Sequence, residues 1–318
     1  MINKLLLSAA IVLSGATTVE AAQKKSAKVE KQLAAQCDAG LRSITEDAAR
    51  AHVYFLADDL LEGRRAGERG SRIAKQYIIS QMRQAGLKPF FESYEQPFEA
   101  CAVQKLKRGV RYFVEADSIA EIKKQVHRTM HLSNVLAVLP GKKTDEMVVV
   151  GAHLDHEGVY NDIEGDKIYN GADDNASGVA AVLQIMKAFV ASGATPERTI
   201  VFAFWDGEEF GLLGSRYFTD SYKDMQNVKG YLNFDMVGSG TDSRYLMYFF
   251  TAAHPKFGEW LKADMTKHNF CFDPDYRAWE NPVGGSDQQS FHLKGVPIVW
   301  YHTGGQPTTT SRRMRLTR

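Results

Sequence analysis

The sequence predicts an α/β fold with a mostly parallel central sheet and helices on both of its faces. Apolar runs alternate with segments of helical periodicity, as expected when parallel strands are joined by crossover helices. Short polar clusters directly follow several of these runs. Parallel strands bring their carboxyl ends to one edge of a sheet, and ligands bind beyond that edge. The fold and a polar site at its edge are therefore predicted together.

Composition sets broad limits on function. The 318 residues are 44% hydrophobic and 24% charged, which is ordinary for one large globular domain or two smaller ones. The net charge of +1 gives no electrostatic support for nucleic-acid binding. Cys37, Cys101 and Cys271 could form one disulfide and leave one thiol, but no pair has the spacing of a metal site. We interpret them as structural or unpaired.

Residues 1–21 are predicted to be a secretory signal peptide. Lys4 gives a positive start, residues 5–12 are largely apolar, and small residues near Ala21 offer a cleavage point. The apolar segment is too short for a transmembrane helix, so no stable membrane span is expected after its removal. Residues 22–39 are expected to form an N-terminal extension of the mature protein. The protein is expected to be exported, to the periplasm or to the extracellular side at the cell surface.

The remaining elements follow from capping residues and periodicity. Ser43 or Thr45 can cap a helix that runs to about residue 59, and Ser71 a second helix that ends before Gly86. Residues 90–98, 109–115 and 133–139 are predicted to be peripheral strands. The later predicted elements are strands at 147–152, 199–205, 229–234 and 296–301, and helices that begin near residues 176, 211 and 255. No domain boundary is visible within residues 35–318.

The first polar cluster is His153-Leu154-Asp155, directly after the predicted strand 147–152. Both polar side chains leave the strand on the same side. His153 can bind a metal ion, and Asp155 can orient the His153 imidazole without binding the metal itself. A surface turn would explain the same pattern if it stood alone.

The second cluster, residues 171–178, reads GADDNASG. Small residues around two acids allow the backbone to approach another group closely. Asp174 lies just before the N-terminus of the following helix and could bridge two cations. The alternative is ordinary helix capping, which suits Asp173 and Asn175 better.

Two further clusters follow predicted strands. Glu208 and Glu209 are adjacent, so their side chains point in different directions, and one could bind metal while the other serves as general base. A solvated acidic turn is the alternative. Asp235 follows the strand 229–234 and is a fourth candidate ligand. Four acidic clusters at one edge would repel each other without a cation between them.

In this order, the clusters resemble the motifs of the M28 family of zinc-dependent metallopeptidases. The resembling segments are His-x-Asp at 153–155, the glycine-led motif at 171–178, Asp-Gly-Glu-Glu at 206–209 and Asn-Phe-Asp-Met at 233–236, with further likeness at 61–71 and 286–297. The similarity spans about residues 40–306. It implies a zinc-exopeptidase-like sheet and an aminopeptidase that acts on peptides. A glutaminyl-peptide cyclase, another M28 activity or a catalytically impaired remnant remain alternatives.

The resemblance also implies a role for each residue. It implies two zinc ions and a cis peptide bond after Asp174. The implied roles are zinc ligation by His153, Asp174, Glu209 and Asp235, with Asp174 as the bridge, general-base catalysis by Glu208, and support of His153 by Asp155.

The end of the sequence departs from the family pattern. The family places one more zinc-binding His after the last strand, but none follows His302, which we interpret as a core histidine of that strand. Residues 307–318 are predicted to be an aberrant tail produced by a frameshift. Thr codons at 308–310, read one base earlier, become triplets that encode His, Asp, Asn or Tyr. With this tail, the second zinc site would be impaired and the last C-terminal segment of the fold missing; resequencing the locus tests this interpretation.

Overall fold

The computed structural model describes residues 21–103, 110–238, 244–268 and 272–304. The predicted signal peptide, except for its last residue, and the predicted tail at 307–318 lie outside these ranges. Cys37 and Cys101 are free thiols, and Cys271 lies outside the described residues.

Eight α-helices lie within the described ranges. Thr45 caps the second of them as predicted, because its hydroxyl accepts a hydrogen bond from the Ala48 amide at 3.2 Å. The helices are α1 (Ala21–Ser43), α2 (Glu46–Leu56), α3 (Arg69–Gln84), α4 (Ala116–Ile122), α5 (Gly178–Ser192), α6 (Leu213–Ser221), α7 (Lys256–His268) and α8 (Gln288–His292).

Nine of the strands found in the described residues form one mixed sheet, and two short strands form a separate hairpin. The strands are β1 (Lys88–Pro89), β2 (Glu95–Val103), β3 (His127–Leu139), β4 (Lys143–His153), β5 (Gly158–Val159), β6 (Ile168–Tyr169), β7 (Arg198–Trp205), β8 (Val228–Phe234), β9 (Tyr245–Thr251), β10 (Asp273–Trp279) and β11 (Ile298–His302).

The centre of the sheet is parallel. Its order is β1-β3-β7-β4-β8-β11-β9-β10, with β2 also paired to β3. Strands β7, β4, β8 and β11 run in parallel, whereas antiparallel pairs join β3 to β1, β2 and β7, and β11 to β9. The predicted α/β fold with a parallel centre is confirmed. Because β4, β7, β8 and β11 share one direction, their carboxyl ends meet at the same edge.

Alternate residues of the central strands pack against opposite layers of helices. Val148 and Val150 of β4 join the core under α5, whereas Val149 lies on the other face with Phe218 of α6 and Phe291 of α8. This period of two is what a strand buried on both faces requires. The helices on both faces were predicted correctly.

Residues 22–39, the predicted extension, lie within helix α1, which packs against α5. Gly40 permits close approach, since a Cβ there would lie 2.7 Å from the Ala188 carbonyl oxygen. The segment Ala172–Ser192, which includes α5, is long and apolar enough to cross a membrane by composition, but 72% of its most apolar window is buried. Such burial is typical of a core helix.

Two expectations about local structure were wrong, and two strands were missed. Residues 110–115 form no strand, and only Phe113 pairs with Cys101. Glu68 rather than Ser71 occupies the N-cap of α3. Strands β9 and β10 were not predicted, although together they extend the sheet beyond β11.

Candidate metal centre

The predicted site residues meet at the edge where the parallel strands end. His153 is the last residue of β4, Glu208 and Glu209 follow β7, and Asp235 follows β8. The loop before α5 brings Asp174 to the same place. All of the predicted site residues therefore lie in one region of the molecule.

The first cluster surrounds the buried imidazole of His153. Its Nε2 atom lies 3.3 Å from Asp174 Oδ1 and 3.4 Å from Asp235 Oδ1. His153, Glu208 and Asp235 each offer one ligand atom, and these atoms lie within 4.8 Å of one another. One cation could contact all three side chains.

The second cluster contains a residue that the sequence reasoning missed. His156 is buried, and its Nδ1 atom lies 2.7 Å from Glu209 Oε1 and 3.9 Å from Asp174 Oδ1. The ligand atoms of His156, Asp174 and Glu209 again fall within 4.8 Å of one another. Asp174 Oδ1 is close to both imidazoles, so it lies where a carboxylate can bridge two cations.

Asp155 contacts both His153 and the turn that carries the glutamates. His153 Nδ1 lies 3.8 Å from Asp155 Oδ1, beyond a hydrogen bond, and 3.3 Å from the Asp155 backbone oxygen. The Asp155 carboxylate instead accepts a hydrogen bond from the Glu208 backbone amide at 3.1 Å. It therefore joins the end of β4 to the turn that carries both glutamates.

The loop before α5 is fixed by side-chain hydrogen bonds to the end of β8. Asn175 donates to the Phe234 carbonyl at 2.9 Å and accepts from the Gly178 amide at 3.0 Å. Asp173 accepts from the Gly238 amide at 2.8 Å, so it anchors residues after Asp235 rather than simply capping a helix. The peptide bond between Asp174 and Asn175 is cis, as expected.

Burial and crowding shift the pKa values in the site. Burial tends to lower the pKa of His153, but the carboxylates of Glu208 and Asp235 raise it well above its ordinary value. Burial raises the pKa of Glu208 well above its ordinary value, against the effect of His153. Burial also favours a higher pKa for Asp174, yet its contact with His153 and the charge of His156 lower it to about 2. The centre thus gathers more carboxylates than nearby positive groups can balance.

The donor set fits zinc. Imidazole nitrogen and carboxylate oxygen are ordinary zinc ligands. Within the described ranges, Asp155 Oδ2 has no hydrogen-bond partner, and buried Asp287 has no nearby donor apart from the Ser215 hydroxyl. Asp287 interacts electrostatically with His153 and Asp235, and burial raises its pKa to about 6. Buried carboxylates so poor in donors are costly unless a cation lies nearby.

His302 was considered from the sequence, whereas His156 was missed. His302 ends β11, and its Nδ1 atom accepts a hydrogen bond from the Gly304 amide at 2.7 Å, while burial lowers its pKa. This agrees with its interpretation as a strand histidine. The proximity of His156 to His153 in the sequence was the available signal for the missed ligand candidate.

Similarity to known proteins agrees with this geometry. The sequence model of peptidase family M28 matches residues 134–313, more than half of the chain. The chain belongs to peptidase family M28. This M28 chain is 36% identical over 189 residues to leupeptin-inactivating enzyme 1 of Streptomyces exfoliatus, which covers 56% of this chain and 37% of that protein. Leucine aminopeptidase 2 of Trichophyton equinum is 30% identical over 188 residues, 58% of this chain and 36% of the relative. The chain thus spans little more than a third of these relatives.

Solved structures share the fold of this M28 chain at low sequence identity. The LapA aminopeptidase of Legionella pneumophila superposes with a TM-score of 0.60 at 20% identity, over 85% of this chain and 64% of the other. A zinc aminopeptidase of Bacillus subtilis gives 0.58 at 17% identity, over 83% and 86%. A glutaminyl cyclase of Fimbriiglobus ruber gives 0.57 at 17%, over 81% and 83%.

Proposed function

We propose that this M28 chain is a zinc-dependent aminopeptidase that hydrolyses the first peptide bond of peptides. The observation that carries the proposal is the pair of His and carboxylate clusters that share Asp174, with Glu208 beside them. The names of its relatives, a leucine aminopeptidase and a leupeptin-inactivating enzyme, support the same class of reaction.

In this proposal, the residues of the two clusters would hold two zinc ions. His153 and Asp235 would hold one ion, His156 and Glu209 the other, and Asp174 would contact both. Bound zinc polarises a carbonyl oxygen and lowers the pKa of water toward about 7. The hydrogen bonds of Asp155 and Asn175 fix the segments that carry the ligand atoms.

Glu208 is the proposed general base. Its side chain belongs to the His153 cluster, and its backbone amide is held by Asp155, so the carboxylate is fixed at the centre. The carboxylate accepts a proton from the attacking water and then delivers it to the amine of the departing peptide. Other carboxylates of the site would attract the positively charged amino terminus of a substrate, which favours cleavage at that end.

The test compares Glu208→Gln with wild type in zinc content and in hydrolysis of leucine p-nitroanilide. Gln keeps the size of the side chain but cannot accept the proton, so we expect wild-type zinc content with a rate about 10²- to 10⁴-fold lower. Glu209→Gln should instead reduce zinc content. The exposed Glu68→Gln should change neither. Near-normal turnover by Glu208→Gln would refute the assignment.

The same assays separate the alternatives. Cyclisation of an N-terminal glutamine without release of other residues would identify a glutaminyl cyclase. Zinc binding without turnover of any aminoacyl substrate would identify a non-catalytic remnant. Zinc-dependent release of amino-terminal residues supports the peptidase.

We also propose that the chain is exported by its first 21 residues, on the strength of Lys4 and the apolar run that follows it. Residues 1–30 fused to alkaline phosphatase, which is active only where disulfides form, should give activity in a bacterial host. The same fusion without residues 2–21 is the control, and equal activity of the two would contradict export.

A further inference from the structure

A buried arginine lies behind the metal centre, in a loop of unusual backbone conformation. Glu62, Gly63 and Arg64 have successive φ values of 51°, 65° and 49°, all in the left-handed region. Gly63 is required there, because a Cβ would lie 2.4 Å from the Tyr169 carbonyl oxygen. This conformation turns the Arg64 side chain inward, where it is fully buried.

The Arg64 guanidinium donates hydrogen bonds to four backbone carbonyls from three separate segments. Nε donates to Leu154 at 3.0 Å and Nη2 to Gly171 at 3.0 Å. Nη1 donates to Leu56 at 2.5 Å and to Asn170 at 2.6 Å. A planar group with five N–H donors is suited to join several carbonyls at fixed angles.

Two of these segments carry the candidate metal ligands. Leu154 stands between His153 and Asp155, and Gly171 opens the loop that leads to Asp174. The Arg64 backbone adds a further link, because its carbonyl accepts a hydrogen bond from the His156 amide at 3.3 Å. One residue therefore connects the end of β4, with both imidazoles, to the loop with the shared carboxylate.

The charge of Arg64 is not matched by a direct partner. Within the described ranges, no carboxylate oxygen forms an ion pair with it at 4 Å or less, yet Asp174, Asp155 and Glu209 are near enough to interact electrostatically. Burying a charge without a paired carboxylate is costly. The nearby carboxylate cluster offsets this cost, and the cation in turn reduces repulsion among the carboxylates.

We propose that Arg64 is a positioning residue that holds the His153–His156 segment and the Asp174 loop at metal-binding separation. The proposal rests on the metal site of the proposed function. It predicts that changes at Arg64 weaken zinc binding even though Arg64 contacts none of the ligand side chains.

The experiment measures zinc affinity by competition with a chromophoric chelator, together with the visible spectrum of the cobalt-substituted protein. Arg64→Met keeps the aliphatic stem but loses all four donated hydrogen bonds and the charge. We expect the zinc affinity to fall at least about 10-fold. Losses of this size follow when residues that hold metal ligands in place by hydrogen bonds are replaced. The cobalt absorption bands should also shift, because the ligand geometry relaxes. Arg64→Lys keeps the positive charge but lacks the planar guanidinium with its five N–H donors. Its zinc affinity should lie between those of Arg64→Met and wild type.

Ile78→Ala is the matched control for a general loss of stability. Ile78 is fully buried in α3 and belongs to neither ligand cluster, and its truncation should cost about 2–5 kcal/mol of unfolding free energy. It should leave zinc affinity and the cobalt spectrum unchanged. If Arg64→Met does not fold, Arg64→Lys carries the test. Wild-type affinity and spectrum in a folded Arg64 variant, or an equal loss of affinity in Ile78→Ala, would overturn the proposal, whereas a wild-type protein that binds no zinc would overturn the proposed function itself.

Discussion

The ion pair between Lys75 and Asp206 gives a sharp test of how the site is supported. Lys75 Nζ lies 2.5 Å from Asp206 Oδ2, and the two side chains are only 4% and 0% exposed. Ser133 adds a backbone amide that donates to the same carboxylate oxygen at 3.1 Å. Asp206 directly follows β7 and precedes Glu208 by two residues, so the pair fixes the start of the turn that carries Glu208 and Glu209.

Lys75→Met keeps most of the side-chain volume but leaves the Asp206 carboxylate buried without its cation. Removing one partner of a buried pair costs about 3–5 kcal/mol. The Ser133 amide still donates to Asp206, and the Ser71 hydroxyl lies 3.4 Å from its other oxygen. We therefore expect a loss near the lower end, about 3 kcal/mol, in the free energy of unfolding measured by urea denaturation at pH 7.

Two further variants identify the cause. Asp206→Asn in the Lys75→Met background removes the unpaired charge, so the double variant should recover at least half of the loss. Arg50→Met breaks the exposed pair with Glu46, whose side chains are 53% and 57% exposed, and should cost less than about 1 kcal/mol. A loss below about 1 kcal/mol for Lys75→Met, or a double variant no more stable than the single one, would show that the Lys75–Asp206 ion pair does not stabilise this turn.

Three other predictions concern packing, pH and metal. Gly178→Ala places a Cβ 2.2 Å from the Phe234 carbonyl oxygen and should abolish zinc binding or soluble expression, whereas Gly193→Ala, with open space around it, should cost only about 1 kcal/mol in urea denaturation. Burial lowers the pKa of His52 to about 4, so the unfolded chain takes up a proton first and stability should fall by up to roughly 3 kcal/mol as pH drops from 6.5 to 4. His52→Gln should flatten this part of the stability profile; an unchanged slope would contradict it. Removal of zinc by a chelator should lower the thermal unfolding midpoint, by the equivalent of about 2.7 kcal/mol for each site that was filled at 100 times its Kd, and added zinc should restore it.

The sequence predicted those elements that are marked by residues adjacent in the chain. Apolar runs predicted β4, β7 and β8 because strands buried on both faces need them, and the polar residues after these runs met at one edge because parallel strands share a direction. Strand β10 was missed because much of it is exposed at the edge of the sheet and it lacks an apolar run. The run at residues 110–115 misled because a few apolar residues do not ensure a pairing partner.

Other parts of the site depend on contacts between distant segments. The contacts of Arg64 could not be predicted, since its partners are backbone carbonyls 8 to 107 positions away in the sequence, which no side-chain pattern reveals. His156 lay beside a recognised motif, but only the path of the chain after β4 turns its imidazole toward Glu209. Asp155 lies in the predicted region, and its carboxylate accepts a hydrogen bond from the Glu208 amide while its Oδ1 atom lies 3.8 Å from His153 Nδ1.

The most direct test of the central claim is diffraction from crystals grown with zinc, with anomalous data collected on both sides of the zinc absorption edge. We expect two zinc peaks about 3.5–4 Å apart, one beside His153 and Asp235 and the other beside His156 and Glu209, with Asp174 between them. Asp174→Asn should weaken both peaks. Zinc bound only elsewhere, or no zinc at this edge of the sheet, would contradict the account.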